Sequence, residues 1–171
     1  SATIVSDEPE DKRLRLSTGL YRLSGERLWL EEKSLNMPAN GKALVGLEEL
    51  KTAAADYDAA DLWIRVQLSD SEGVAYDQTA YLVPARDLHL PVPKVKVSTE
   101  ANGAQLSVTL QSSVLVMGLY LSLEGLPGNF SDNFFDLCPG EPKTVELTLP
   151  EPPEQGWPPV RLLSVYDSYT E

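Results

Sequence analysis

Apolar and polar residues alternate along most of this chain, the period-two signature of strands with one buried face. Leu62, Ile64, Val66 and Leu68 are interleaved with Trp63, Arg65, Gln67 and Ser69, so the first set faces a core and Trp63 falls on the polar face. Asp70-Ser71-Glu72-Gly73 reads as a turn and residues 74–83 as the returning partner. Pro84 ends that strand, because proline cannot donate to a ladder. Upstream, strands are predicted over residues 13–17, 26–32 and 43–48, with one helix-like patch over 47–55 carried by Glu48-Glu49-Leu50-Lys51. Downstream, residues 94–99 form a strand, and Asn102-Gly103 supplies the positive φ angles of a tight hairpin. Leu106, Val108 and Leu110 then point inward, with Gln105, Ser107, Thr109 and Gln111 outward. Residues 114–123 are apolar on both faces, which predicts a central strand. Residues 144–149 alternate again, and 161–166 supply a last strand.

Many short strands separated by turn signals indicate β-sandwiches rather than α/β units. The connector Leu90-Pro91-Val92-Pro93 favours an extended, semi-rigid link. It divides the chain into two modules, residues 1–90 and 91–171, each a modest size for one core. The two modules are expected to lean on each other or on a neighbour.

With 26 acidic and 14 basic residues the net charge is -12. Such a chain lacks the basic footprint of a nucleic-acid binder and is repelled by anionic lipid. Its apolar runs fall far short of the roughly 20 residues of a membrane helix. There is no signal-peptide pattern, and a start at Ser1 without a preceding Met reads as a cut or processed end. Cys138 and His89 are each single of their kind. One thiol forms no internal disulfide and no zinc site, and His89, within His89-Leu90-Pro91, reads as part of the connector. A lone thiol fits several compartments, with a slight preference for a periplasmic or other extracytoplasmic site. No cofactor motif is present.

The most specific segment is Phe130-Ser131-Asp132-Asn133-Phe134-Phe135-Asp136-Leu137-Cys138-Pro139-Gly140-Glu141. It reads as a loop entering a sheet. Asp132 and Asn133 tolerate left-handed turn geometry, Phe134, Phe135 and Leu137 are apolar anchors, and Pro139-Gly140 sets a turn. With Gly128 before it and the strand over 114–123, this stretch resembles the C-terminal immunoglobulin-like domain of β-mannosidases of glycoside hydrolase family 2. Cys138 departs from the aliphatic residue usual there. The ending Leu163-Ser164-Val165-Tyr166-Asp167-Ser168-Tyr169 is similar too. The first module resembles the sandwich preceding that domain, through the Leu23-Ser24-Gly25 turn and the hairpin over 62–83. The Ser17-Thr18-Gly19 region departs from the pattern.

The resemblance implies two tandem immunoglobulin-like antiparallel β-sandwiches, an all-β fold. It also implies a parent that removes terminal β-mannosyl units with retention, using two carboxylates about 5 Å apart on a (β/α)8 barrel. A barrel needs roughly 250 residues of alternating strand and helix, so no glutamate here is assigned a catalytic role. Glu31, Glu32, Glu48 and Glu49 are adjacent pairs that read as solvated surface. The implied partner is an upstream catalytic domain of the same polypeptide, which these modules would brace. A mannose-containing oligosaccharide is the second candidate partner, for the alternative of a carbohydrate-binding module; an adhesion or scaffold module of immunoglobulin-like fold is the other alternative. Aromatic faces stack on sugars, which makes Trp63 and Trp29 the candidate carbohydrate-binding residues, against the plainer alternative that they cover an interface. Asp56, Asp58 and Asp61 lack the glycine and terminal glutamate of a calcium loop, so no metal is assigned. Asn129-Phe130-Ser131 is a formal glycosylation sequon.

Overall fold

The computed structural model describes residues 2–169 and divides into two compact units, Ser1–His89 and Leu90–Glu171. Both are built from antiparallel strands, as the alternation requires.

In the first unit, β1 (Ala2–Val5) pairs with β4 (Lys42–Val45), and β2 (Lys12–Arg22), β3 (Arg27–Met37), β5 (Leu62–Ser69) and β6 (Val74–Tyr81) form a sheet in the order β3-β2-β5-β6. A short helix, α1 (Glu48–Ala54), follows β4. The predicted helix-like patch is therefore real, and Glu48 and Glu49 lie on its first turn rather than on a strand. Leu20, Leu62 and Ile64 pack with Leu50 of α1, while Leu16 and Leu68 pack with Val45 of β4. Each fully buried aliphatic side chain stabilises such a core by about 1.5–3 kcal/mol.

The hairpin β2–β3 is about twice as long as the sequence pattern suggests. Ser17-Thr18-Gly19 interrupts the alternation without interrupting the strand. The Tyr21 ring lies across Gly19, so close that a Cβ there would sit 2.4 Å from its Cε2. An aromatic ring laid over a strand glycine restores the surface that the missing side chain leaves open. The sequence pattern also misses β1, which is only four residues long.

In the second unit, β7 (Val95–Asn102), β8 (Gln105–Ser112) and β11 (Lys143–Thr148) form one sheet in the order β11-β8-β7. The facing sheet, β10-β9-β12, consists of β10 (Phe135–Leu137), β9 (Val116–Leu123) and β12 (Val160–Leu163). β9 is central, as its two apolar faces predict. Leu106, Val108 and Leu110 meet Leu119, Leu121, Leu137, Val145 and Leu147 in one core. The β7–β8 loop is Gly103-Ala104 rather than Asn102-Gly103: Asn102 pairs with Gln105 and only Gly103, at φ 58°, enters the left-handed region. The last predicted strand is shorter than expected. It stops at Leu163, and Tyr166–Tyr169 turn into a 3-10 helix with Ser164 capped by Asp167. No helix among the described residues is long and apolar enough to cross a membrane.

Candidate functional site

Trp63 is not on an exposed face. It projects opposite Leu62 and Ile64, as the alternation says, but it is only 1% exposed. Tyr21, directly opposite on β2, stacks on it with ring centroids 4.7 Å apart, and the indole N–H donates to the Arg22 carbonyl at 3.1 Å. Alternation assigns a side chain to a face and does not say whether that face is covered. A ring with its N–H satisfied and its surface buried is a packing residue. Trp29, opposite Leu20 on β3, is half-buried and packs against the cluster of Leu20, Leu50, Leu62 and Ile64. The structure does not bring the two tryptophans into one exposed platform.

Neither tryptophan lines a hollow of about 690 Å³ that opens in the same unit. Its walls include Ile4, Leu14, Val66 and Leu68, with Tyr76 and Gln78 hydrogen-bonded to each other at the rim. Asp7, Glu8, Lys12 and Asp70 add charged groups to this lining, so the hollow is mixed rather than apolar. Sequence pattern missed it because β1, one of its walls, is missing from that pattern.

Of the three aspartates weighed for calcium, Asp58 and Asp61 come together, joined by His89 rather than Asp56. Asp58 caps the Ala59–Asp61 turn through Ala60 N, and His89 Nδ1 lies 3.0 Å from Asp61 Oδ1. The His89 backbone N–H also donates to the Ala60 carbonyl. These bonds fasten the end of the first unit to its own turn. Three of the four glutamates sit in surface ion pairs: Lys33 reaches Glu31 and Glu49, and Lys51 reaches Glu48. The hydrogen bond that Lys33 donates to Glu31 raises the Lys33 pKa above its ordinary value, and the one that Lys12 donates to Glu8 does the same for Lys12.

The segment singled out by sequence carries the least ordinary geometry. Phe130 and Leu137 are buried and Phe135 is half-buried, with the Lys143 ammonium 4.1 Å from its ring centre. Phe134 departs from the anchor role: it is 74% exposed. It is also the residue that enters the left-handed region, at φ 61°, in place of Asp132 or Asn133. A bulky residue in that region is a true backbone outlier. Neighbouring bonds hold it there. The Asn133 side chain accepts from Leu121 N at 2.6 Å and donates to Leu121 O at 3.0 Å. Phe134 N donates to Leu119 O, Asp136 accepts from Gly118 N, and Ser131 exchanges two hydrogen bonds with Glu146. The exposed ring stacks on Tyr120 at 4.9 Å. Tyr120 pairs across the sheet with Leu163, itself 55% exposed.

Comparison with known proteins fits this architecture. Residues 1–87 match the family described as a mannosidase Ig/CBM-like domain, and residues 90–168 match the Ig-fold domain family of mannosidases. The chain belongs to the mannosidase Ig-domain family. Among solved structures, a β-D-mannosidase from Dictyoglomus thermophilum is similar over 95% of this chain and 20% of its own, at a TM-score of 0.68 and 21% identity. An exo-chitosanase from Amycolatopsis orientalis is similar over 95% of this chain and 24% of its own, at 0.60 and 17%. These two mannosidase-type units thus span about a fifth to a quarter of the proteins they resemble in fold. No curated protein matches the chain in sequence.

Proposed function

We infer that these two units are the non-catalytic C-terminal portion of a longer glycoside hydrolase, bracing a retaining exo-β-mannosidase barrel that lies upstream. The observation that carries this reading is that both units match mannosidase-type domain families, which together take up nearly the whole chain. The share of the similar β-mannosidase left uncovered, about four-fifths, offers ample length for a barrel of roughly 250 residues. Catalysis would belong to two carboxylates of that barrel, and the units described here would hold the architecture around its cleft.

The test has two arms. The 171-residue chain should not hydrolyse an aryl β-mannoside, and the longer polypeptide carrying it should. Turnover by the rigorously purified 171-residue chain, or an upstream coding sequence without a barrel, would overturn the reading.

A second reading, carbohydrate binding by the first unit, is favoured by the CBM-like character of its family. With Trp63 enclosed, Trp29 and the hollow beside Tyr76 are the surfaces it would use. Calorimetry with millimolar manno-oligosaccharide tests it, and a flat titration counts against it.

A further inference from the structure

We propose that Phe134 is the central anchor by which the second unit docks on the catalytic portion of the longer polypeptide; this rests on the reading above. Three observations lead there. The first is the manner of display. A phenyl ring 74% exposed at φ 61° is unfavourable both in hydration and in backbone, and such strain persists only where the surroundings impose it. Here they do, through the Asn133 clamp on Leu121 and the Phe134 N–H on Leu119. The ring is pre-ordered, so covering it costs little further conformational entropy.

The second observation is the surroundings. Tyr120 and Leu163 extend the apolar centre. Asp132, two residues before Phe134, pairs with Lys143 at the start of β11, and Arg161 of β12 pairs with Glu124 just past the end of β9. An aromatic centre bordered by charged groups is how interface hot spots are built.

The third observation concerns the occupant. A sugar stacked on an aromatic ring also needs directed polar partners. The loop's polar side chains, Ser131, Asp132, Asn133 and Asp136, already hold backbone groups or Lys143. That favours a protein surface. In the similar β-mannosidase four-fifths of the chain lies outside the region matched here, which makes covalently attached protein the nearest candidate.

Hydroxyl-radical footprinting of the 171-residue chain and of the longer polypeptide tests the proposal without requiring activity. Labelling of Phe134 should fall about sevenfold in the longer polypeptide, as its exposure drops from 74% to that of an interface core. Equal labelling overturns the proposal. So does protection that arises only on adding a β-linked manno-oligosaccharide, which would make the ring a sugar platform.

Phe134→Gly gives a second readout. Glycine is at ease at this φ, so the melting temperature of the 171-residue chain should hold or rise. That of the longer polypeptide should fall, with Tyr120 labelling increased. An equal fall in both would mark Phe134 as a local packing residue and overturn the proposal. If the longer polypeptide protects Phe134 yet lacks β-mannosidase activity, the functional reading fails while the docking surface stands.

Discussion

The Asn133 side chain does the work of a strand. The β10–β9 ladder runs through Leu137↔Val116 and Phe135↔Leu119, and the next β9 residue facing that side is Leu121, 1% exposed. No β10 backbone reaches it. The Asn133 amide takes that place, accepting from Leu121 N at 2.6 Å and donating to Leu121 O at 3.0 Å. Asn133→Ala removes both bonds and leaves two backbone groups without partners. A buried group deprived of its partner costs about 1–3 kcal/mol. Asn133 is only half-buried, so water relieves part of the loss, and about 2–3 kcal/mol is expected. With a urea dependence of about 1 kcal/mol/M for a unit this small, the second unit's midpoint should fall by roughly 2–3 M. Urea titration by circular dichroism, with amide exchange at Leu121 to localise the change, measures it. A fall below about 0.5 M would refute the claim that this side chain substitutes for strand pairing. Asn133→Asp adds a sign test. At neutral pH the carboxylate still accepts from Leu121 N but faces Leu121 O, a second acceptor. Below about pH 4 the acid is protonated and can donate. Stability of this variant relative to the parent should therefore improve as pH falls.

Other substitutions probe other parts of the two units. Gly118 has φ 60°, and a Cβ there would lie 2.9 Å from Val165 Cγ2; Gly118→Ala should cost about 1–2 kcal/mol from backbone alone, read as a lowered urea midpoint of the second unit. Gly19→Ala should push the Tyr21 ring off Trp63, costing about 1–3 kcal/mol and shifting tryptophan emission to longer wavelength. Leu137→Ala, at a site 1% exposed, should cost about 2–5 kcal/mol by the same titration. Trp63→Ala should act on stability, by about 3–5 kcal/mol, and any loss of sugar affinity should follow the unfolded fraction.

The all-β architecture and the central place of β9 are legible in the sequence because alternation is local. What alternation leaves out is the cover on each face. Trp63 lies on the predicted face of β5, yet Tyr21 roofs it, and nothing near Trp63 in sequence announces a ring contributed by β2. Phe134 shows a related gap. Its φ is set by hydrogen bonds to Leu119 and Leu121, more than ten residues away, so the turn preferences of Asp132 and Asn133 point to the wrong residue. The pairing of His89 with Asp61 spans 28 positions and has no local signature either.

β7 forms the outer margin of its sheet, with all but one of its residues exposed. A margin of this kind offers unpaired amides to any other chain that passes. Lys96 and Glu100, two strand pleats apart on β7, place opposite charges along that row. A second copy approaching in parallel register would set lysine against lysine and glutamate against glutamate. In that arrangement the like charges repel, most strongly in low salt, and neutralising both residues would remove the repulsion.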